Sequence, residues 1–496
     1  MTNTKRTLKL FDTFTRKVKA FPAADSPAHS GEEITYYTCG PTVYNSAHVG
    51  NFRAYLFEDL AVRTLKYLGW NVKQVMNLTD IDDKTIRGAN PSGEELDVAE
   101  LRQRLNSYTK PFIKAFFKDL RLLNITPAAE YPRATEHIGE MVALIGELVE
   151  RGYAYEGEDG HWYFSIRKFP TYGKLSGVKL DENQSGARVD SDEYEKDDAR
   201  DFSLWKKHRP GEPAWEPKDF VEDSPLPLGR PGWHIECSAM ATKHLGTTLD
   251  LHSGGHDNIF PHHENEIAQS EAASGKPFVR HWLHCGYLIV DGEKMSKSKG
   301  NFYTLGELME RGYDPLAIRL LLLSTHYRKP LNFTLDGLKA AGGNLRQFRG
   351  FLARLAREEE TVSDSGSGEA EATLKQAAEE FSTALAEDLN IARTIGVIFE
   401  MMQSINRFLD AGEMSKNAIA LARETMLGFD EVLGLKLGET ENTADLDMAR
   451  IEELVVQRNE AKKNRDFARA DQIRDELAEL GIVLEDTPQG TVWRKG

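Results

Sequence analysis

The spacing of apolar residues divides the chain into an α/β half and a helical half. The run ITYYT, Ile34 to Thr38, is β-branched and aromatic throughout, which predicts a buried strand. It feeds a turn-rich stretch, CGPTVYNSAHVGN. Phe52, Leu56 and Leu60 then recur every fourth residue, with Val49 and Leu68 extending the stripe as far as Gly69. That period predicts a helix stopped by the glycine. A second strand is expected over Asn71 to Leu78, followed by an acidic loop, TDIDDK. Strand, loop, helix and strand in this order form a βαβ unit, and hence a parallel sheet. Such sheets bind ligands beyond the carboxyl ends of their strands, which is where the CGPTVYNSAHVGN loop is expected.

Residues 126–215 change character. A helix is expected over Ala134 to Glu150. The Tyr-, Trp- and Gly-rich piece GYAYEGEDGHWYFSIRKFPTYGKLSG reads as short β structure, and the charged tract SDEYEKDDARD as exposed chain. The whole reads as an insertion. From GRPGWHIECSAM the pattern is α/β again, with a helix over 233–245, a strand in TTLDLHSGG, a helix over 262–274 and a strand from Leu283 to Val290. From Leu305 the chain is almost wholly helical, interrupted by polar linkers at 363–372 and 438–447. Helices over 448–466 and 467–480 form a terminal hairpin, and the tail GIVLEDTPQGTVWRKG follows. No internal repeat is visible.

Composition narrows the class. The 496 residues suit three or four units of ~100–200 residues each. A hydrophobic share of 40% with 28% charged residues excludes a wholly disordered or fibrous chain. With 62 Lys and Arg against 78 Asp and Glu, the net charge is −16. A chain this acidic does not coat nucleic acid or anionic membrane indiscriminately, so any nucleic-acid contact must use locally clustered cations. Three cysteines exclude a disulfide scaffold and suit a reducing compartment, so a cytoplasmic location is expected. No apolar run approaches the ~18–20 residues of a membrane span, and Arg319 interrupts the best one, Leu316 to Leu323. The basic N-terminus lacks a following apolar region, so no signal peptide is expected.

Two constellations carry chemistry. In the first, Cys39 ends the first strand and Cys237 sits on the helix GWHIECSAM. In FPHHENEIAQ, Pro261 suits the first turn of a helix, on which His262 and Glu266 lie four apart and share a face. Two thiolates, an imidazole and a carboxylate make a sound zinc set. Their charge of −3 against Zn²⁺ leaves −1, which still admits a further soft anionic ligand. His263 with Glu264 or Glu266 is an alternative pairing. The plain alternative is that Cys39 and Cys237 are small buried hydrophobes and the histidines polar surface. Cys285, in the apolar HWLHCGYLIV, reads as core packing.

In the second, HVGN, His48 to Asn51, opens a helix after a strand and loop. A helix start offers unpaired N–H groups and partial positive charge to phosphate. His48 adds a donor, and Gly50 lets a flat base approach the backbone. HSGGHD, 252–257, is a second Gly-rich turn after a strand, with Gly255 in the turn and Asp257 suited to a ribose hydroxyl. KMSKSKGN, 294–301, sets Lys294 and Lys297 three apart around Ser296, a cationic clamp for a triphosphate. A solvated basic loop would not predict all three segments in this order.

HVGN after a first strand, followed much later by KMSKS, resembles the paired signatures of class I aminoacyl-tRNA synthetases. The finer resemblance is to the cysteinyl-tRNA synthetase family. It rests on YTCGPTVYNSAHVGNFRAY, NLTDIDDK, RKFPTYGKLSG, GRPGWHIECSAM, FPHHENEIAQ, DGEKMSKSKGN, YRKPLNF and GIVLEDTPQGTVWR, spanning residues 36–494. Asn51 replaces the last letter of the HIGH signature, a variant common in this family. The stretch EPKDFVEDSPLPL and the linker at 363–372 are departures expected on the surface.

The resemblance implies a Rossmann-type parallel-sheet catalytic domain with an inserted connective subdomain and a mostly α-helical C-terminal region. The implied parts are the first catalytic half at 1–125, the insertion at 126–215, the second half at 216–291, the KMSKS loop with a stem-contact region at 292–345, a helical tRNA-binding bundle at 346–437, and an anticodon-binding hairpin with tail at 448–496. It implies one Zn²⁺ per chain on Cys39, Cys237, His262 and Glu266, which binds the substrate thiolate. ATP with Mg²⁺ would be held by His48, Gly50, Asn51, Gly255, Asp257, Lys294, Ser296 and Lys297. His48, Lys294 and Lys297 would serve catalysis, and Lys297 is the first choice for the transition-state contact.

The substrate L-cysteine would meet Trp233, one helical turn before Cys237, and by motif position Thr79 and His252. The plain readings of these last two are a loop hydroxyl and a satisfied histidine. The implied partner is tRNA(Cys), read near Arg458, Lys462, Lys463, Arg465, Arg469 and Trp493. No membrane contact and a monomer are expected. The alternative activity is a cysteine:amino-sugar ligase of the mycothiol type, which shares the core and has no need of the helical C-terminus.

Overall fold

The computed structural model describes residues 5–178, 201–296, 299–360, 368–439, 448–463, 466–479, 482–487 and 490–495. Two compact units divide the chain, Met1–Lys436 and Leu437–Gly496.

The larger unit opens with an antiparallel hairpin, β1 (Leu8–Asp12) and β2 (Lys17–Phe21), over a stretch for which the pattern yields no element. Its strands are too short for periodicity to register. Its stability comes instead from Asp12, whose buried carboxylate accepts from Thr15 Oγ1 (2.7 Å), Lys19 Nζ (2.9 Å) and Trp282 N (3.0 Å). The expected βαβ unit follows as β3 (Ile34–Thr38), α1 (Val49–Tyr67) and β4 (Val72–Met76).

Next come α2 (Asp83–Ala89), α3 (Val98–Leu122) and α4 (Ile138–Glu150). α4 starts later than the periodicity predicts, because residues 134–136 form a separate 3₁₀ turn. The strands β5 (Ala154–Glu156), β6 (Trp162–Phe164), β7 (Phe202–Lys207) and β8 (Gly229–Pro231) pair antiparallel in chain order. This sheet is not a free-standing module. Phe164, Phe202 and Trp205 belong to one buried cluster with Ile145 of α4 and with Tyr37 and Val75 of the central sheet.

The chain returns through α5 (Trp233–Leu245), β9 (Leu251–Gly255), α6 (Glu264–Ser274) and β10 (Trp282–Cys285). The central sheet has the order β10-β9-β3-β4 and is parallel throughout. From β3 the chain moves outward to β4 on one side and later to β9 on the other, so the carboxyl ends of β3 and β9 bracket a switch point.

Two expectations are corrected here. The regular helix begins at Glu264, not at Pro261, which lies in an irregular turn over Ile259–His263. The strand expected from Leu283 to Val290 is two strands, β10 and β11 (Leu288–Val290). The break falls at Gly286, where a Cβ would stand 2.8 Å from the Lys329 backbone. Only glycine lets the chain pass that close as it leaves the central sheet.

β11 pairs with β12 (Glu293–Lys294) and, in parallel, with β13 (Leu331–Phe333), after α7 (Leu305–Glu310) and α8 (Pro315–Leu323). The helices α9 (Leu335–Glu359), α10 (Glu369–Ala386), α11 (Ile391–Ala411) and α12 (Lys416–Leu433) complete the larger unit. The smaller unit contains α13 (Met448–Lys463), α14 (Phe467–Glu479) and a hairpin of β14 (Ile482–Thr487) and β15 (Gly490–Lys495). Leu454, Val455, Ile473, Leu477 and Ile482 form its core. Arg458 is buried in this unit and donates to Thr491 Oγ1, so it serves internal packing and is not part of an exposed basic stripe. Arg465 lies outside the described residues.

A buried ion pair joins the α/β and helical parts of the larger unit. Arg319 of α8 is fully buried and donates to Asp59 Oδ2 of α1 (2.6 Å), to Leu433 O at the end of α12 (2.5 Å) and to Leu123 O (2.9 Å). Asp59 also accepts from Arg63 Nε (2.8 Å) and Thr126 N (2.9 Å). Burial alone would raise the Asp59 pKa, but the two guanidiniums outweigh it and hold it below the ordinary range.

Arg319→Met should therefore destabilise the larger unit by about 3–5 kcal/mol, because Asp59 loses a buried partner, and urea unfolding followed by tryptophan fluorescence measures it. The Asp59 contribution is present above the ordinary carboxyl pKa of ~3.9 and is lost as pH falls through the lowered folded value. Acid unfolding of Asp59→Asn should accordingly show a shallower stability loss below about pH 4 than the parent chain.

Candidate metal centre and nucleotide pocket

β3, α5 and α6 bring four metal-ligating side chains together. Cys39 follows the last residue of β3, Cys237 lies one turn into α5, and His262 and Glu266 sit just before and within the first turn of α6. Their donor atoms all lie within 4.8 Å of one another. His262 Nε2 is 3.0 Å from Glu266 Oε1, and Cys39 Sγ is 3.9 Å from the same oxygen. Cys237, His262 and Glu266 are buried, and Cys39 is half-buried where the cluster meets the adjoining pocket.

A second group, Cys39, His252, His263 and Glu266, satisfies the same distance criterion. The alternative carboxylate does not compete. Glu264 instead accepts from Gly173 N and Ser176 N, both at 2.8 Å, and ties α6 to the insertion.

The electrostatics of the cluster are those of a ligand set. The hydrogen bond from Cys39 holds the Cys237 thiol down at about 6, against its burial, while burial pushes the Cys39 thiol well up. Burial opposes protonation of His262, but the Cys237 thiolate and the Glu266 carboxylate raise it to about 10. Burial likewise opposes ionisation of Glu266, yet His252 and His262 lower it to about 2. A thiolate, a thiol, an imidazole and a carboxylate thus converge in a largely buried site, a donor set that fits a borderline-soft divalent metal.

Imidazoles surround this group. His252 Nε2 lies 2.9 Å from Glu266 Oε2, and His234 Nδ1 lies 2.9 Å from His262 Nδ1. His263 links Cys39 (3.2 Å) to His284 (2.8 Å), which reaches Thr13 Oγ1 (2.9 Å). Sequence reasoning missed His234 and His284, and offered His263 as an alternative ligand. A histidine count in HWLHC and WHIEC was the available signal, and it carries no direction in space.

Beside Cys39 a cavity of about 600 Å³ opens at the carboxyl ends of β3, β9 and β10. Of the expected nucleotide residues, His48, Gly50, Asn51, Gly255, Asp257 and Lys294 line it. His48 is the N-cap of α1. Its Nδ1 accepts from Asn51 N (3.3 Å) while Asn51 Oδ1 accepts from His48 N (3.1 Å). This reciprocal box gives the fourth position of HVGN a structural role and assigns the His48 proton to Nε2. At Gly50 a Cβ would stand 3.0 Å from the His48 ring and 3.1 Å from Met295 Cε, so a larger residue would intrude between the two signatures.

HVGN also meets the segment just after KMSKSKGN through the backbone: Val49 N donates to Tyr303 O (3.0 Å), and His48 bridges to Thr304. Ser296 N donates to Asn301 Oδ1 (2.8 Å), which closes the loop. Lys297 lies outside the described residues.

Trp233 is 41% exposed and stacks on His262 with centroids 4.5 Å apart, so it presents an aromatic face beside the metal cluster. Thr79 is buried, accepts from Asn77 Nδ2 (3.0 Å) and bridges to Thr42. His252 is fully buried behind Glu266. Tyr287, 52% exposed on the pocket wall and edge-on to His256, was not singled out in the sequence. An exposed aromatic in an apolar run looks like any core residue until the strand ends are placed.

Comparison with known proteins agrees with this geometry. Residues 26–342 match the family described as tRNA synthetases class I (C) catalytic domain, residues 380–438 the DALR domain, and residues 445–494 the cysteinyl-tRNA ligase anticodon binding domain. The chain is 45% identical over 495 residues to a cysteine–tRNA ligase of Chlamydia felis, covering 98% of each. It is 46% identical over 495 residues to one of Thermococcus onnurineus, covering 98% of this chain and 99% of the other.

Among solved structures, a Mycobacterium tuberculosis methionyl-tRNA synthetase in complex with methionyl-adenylate shares the fold, with a TM-score of 0.57 at 16% identity, covering 82% of this chain and 90% of that one. The amino-sugar ligase alternative leaves the match at 445–494 unexplained. Full-length similarity and the domain order together place this chain in the cysteinyl-tRNA synthetase family, the class I cysteine–tRNA ligases.

Proposed function

We propose that the pocket activates L-cysteine with ATP and that the adjoining cluster selects the amino acid by its thiol. The observation that carries this reading is the shared position of Cys39, which belongs to the metal-ligating cluster and also lines the nucleotide cavity. The cysteine carboxylate attacks the α-phosphorus, a new oxygen–phosphorus bond forms and pyrophosphate departs. A carboxylate is already a nucleophile, so the chain need only position the reactants and stabilise charge. His48 Nε2 and the start of α1 face the phosphates. Lys294, with Lys297 beyond it in sequence, neutralises the leaving pyrophosphate. Gly255, Asp257 and Ser296 complete the ATP contacts, with Mg²⁺ accompanying the nucleotide. A hydroxyl of the terminal ribose of tRNA(Cys) then attacks the carbonyl of the cysteinyl adenylate, an ester forms and AMP departs; the smaller unit reads the anticodon of that tRNA. The enzyme acts as a cytoplasmic monomer.

Cys39, Cys237, His262 and Glu266 would hold one Zn²⁺, which supplies a soft Lewis-acidic point for a thiolate that a serine hydroxyl matches poorly. Trp233 walls the side-chain pocket and Thr79 contributes from the loop beside it. His252 acts by orienting Glu266, as metal-bound groups are commonly held from behind.

The purified chain should contain one zinc per chain by elemental analysis, and Cys237→Ala should lose both the metal and cysteine-dependent charging of tRNA(Cys). Serine should be charged at least ~10⁴-fold less efficiently than cysteine in the zinc-loaded enzyme, measured as the ratio of kcat/KM values. His48→Ala should lower the rate of cysteine-dependent ATP–pyrophosphate exchange by about 10²–10³-fold, with the metal content unchanged.

A further inference from the structure

We propose that Asp388, in the connection between α10 and α11, is a positioning residue for the nucleotide pocket and acts through Tyr327. The inference rests on the reading of that pocket as the ATP site. Asp388 and Leu389 both take left-handed backbone conformations, with φ of 59° and 52°. Two successive non-glycine residues hold such angles only where their surroundings over-determine them.

Those surroundings are contacts to the α/β part of the same unit. Asp388 N donates to Lys9 O (2.8 Å), and Asp388 Oδ1 accepts from Phe11 N (2.9 Å) and from the Tyr327 hydroxyl (2.6 Å). Asp388 Oδ2 lies 2.6 Å from Arg328 Nη2, and that guanidinium sits over the Phe11 ring at 4.6 Å. The strained turn thus aims one buried carboxylate at Phe11 N of β1 and at the segment 326–328.

That segment backs the pocket. The Tyr327 ring is buried and stacks on Phe57 of α1, with centroids 4.6 Å apart and planes 14° apart. α1 begins at the His48 cap. Tyr327 O accepts from Gly286 N (2.7 Å), and Leu331 N donates to Tyr287 O (2.9 Å). Gly286, Tyr287, Leu288 and Ile289 form one wall of the cavity. From the other side Arg53, which also lines the cavity, donates to Leu322 O, Thr325 O and His326 O. The segment is therefore clamped between a pocket residue and a carboxylate of the helical bundle. Releasing Asp388 frees the wall and the stacking partner of α1 together, which predicts weaker nucleotide binding with intact chemistry.

The test is cysteine-dependent ATP–pyrophosphate exchange with the full-length chain while ATP is varied. Tyr327→Phe keeps the ring on Phe57 and removes only the hydroxyl that donates to Asp388. It should raise KM for ATP about three- to ten-fold, the loss expected for one buried hydrogen bond, with kcat and KM for cysteine unchanged. Asp388→Ala should do the same or more. Asp388→Asn keeps an acceptor and a side chain tolerant of left-handed φ, and should stay close to the parent KM.

An unchanged KM for ATP in Tyr327→Phe, or a uniform loss across kcat and both KM values, overturns the inference. Tyr327→Phe decides the matter even if Asp388→Ala does not fold. Absence of exchange in the unaltered chain would instead overturn the reading of the pocket.

Discussion

The buried ion pair between Asp59 and Arg319 holds the helix on which the rest of the larger unit depends. α1 begins at the His48 cap beside the nucleotide cavity and passes Asp59 two turns before its end. Arg319 spends its remaining donors on the carbonyls of Leu433 and Leu123, so the same guanidinium closes the end of α12 and the end of α3. A charge this deep is tolerable only because each donor finds an acceptor. The arrangement makes the helical bundle a structural partner of the sheet and not an appendage to it.

The acidic chain handles anionic ligands by local arrangement. The net charge is −16, yet the cavity receives the capped start of α1, His48 and Lys294. Asp257 lines the cavity as well, while two other acidic groups are committed elsewhere. Asp83 is engaged by Arg230 (2.5 Å) and Lys206 (3.2 Å), and Glu264 by backbone N–H groups of the insertion. Their negative charge is therefore answered within the fold.

The metal-ligating cluster shows the same economy of placement. Its carboxylate is gripped by two imidazoles, and its histidine stacks on Trp233, which is partly exposed. This aromatic and imidazole packing restricts rotation of the clustered side chains, the rigidity that a metal-ligating set requires.

The βαβ start, the strand ends and the residue types of both constellations were legible in the sequence, because they depend on local period and on chemistry that few residues can perform. Ile34–Thr38 and Trp233–Leu245 fall where the pattern predicts, and Cys39, Cys237, His262 and Glu266 lie together, as do Cys39, His252, His263 and Glu266. Tertiary structure decided what depends on distance. It committed Glu264 to the insertion, placed three further histidines behind the ligands, divided β10 from β11 at Gly286 and buried Arg319 against Asp59. Periodicity reports which face of an element is apolar. It says nothing of which distant side chain that element will meet, and the partners of His263, Arg319 and Asp388 lie far from them along the chain.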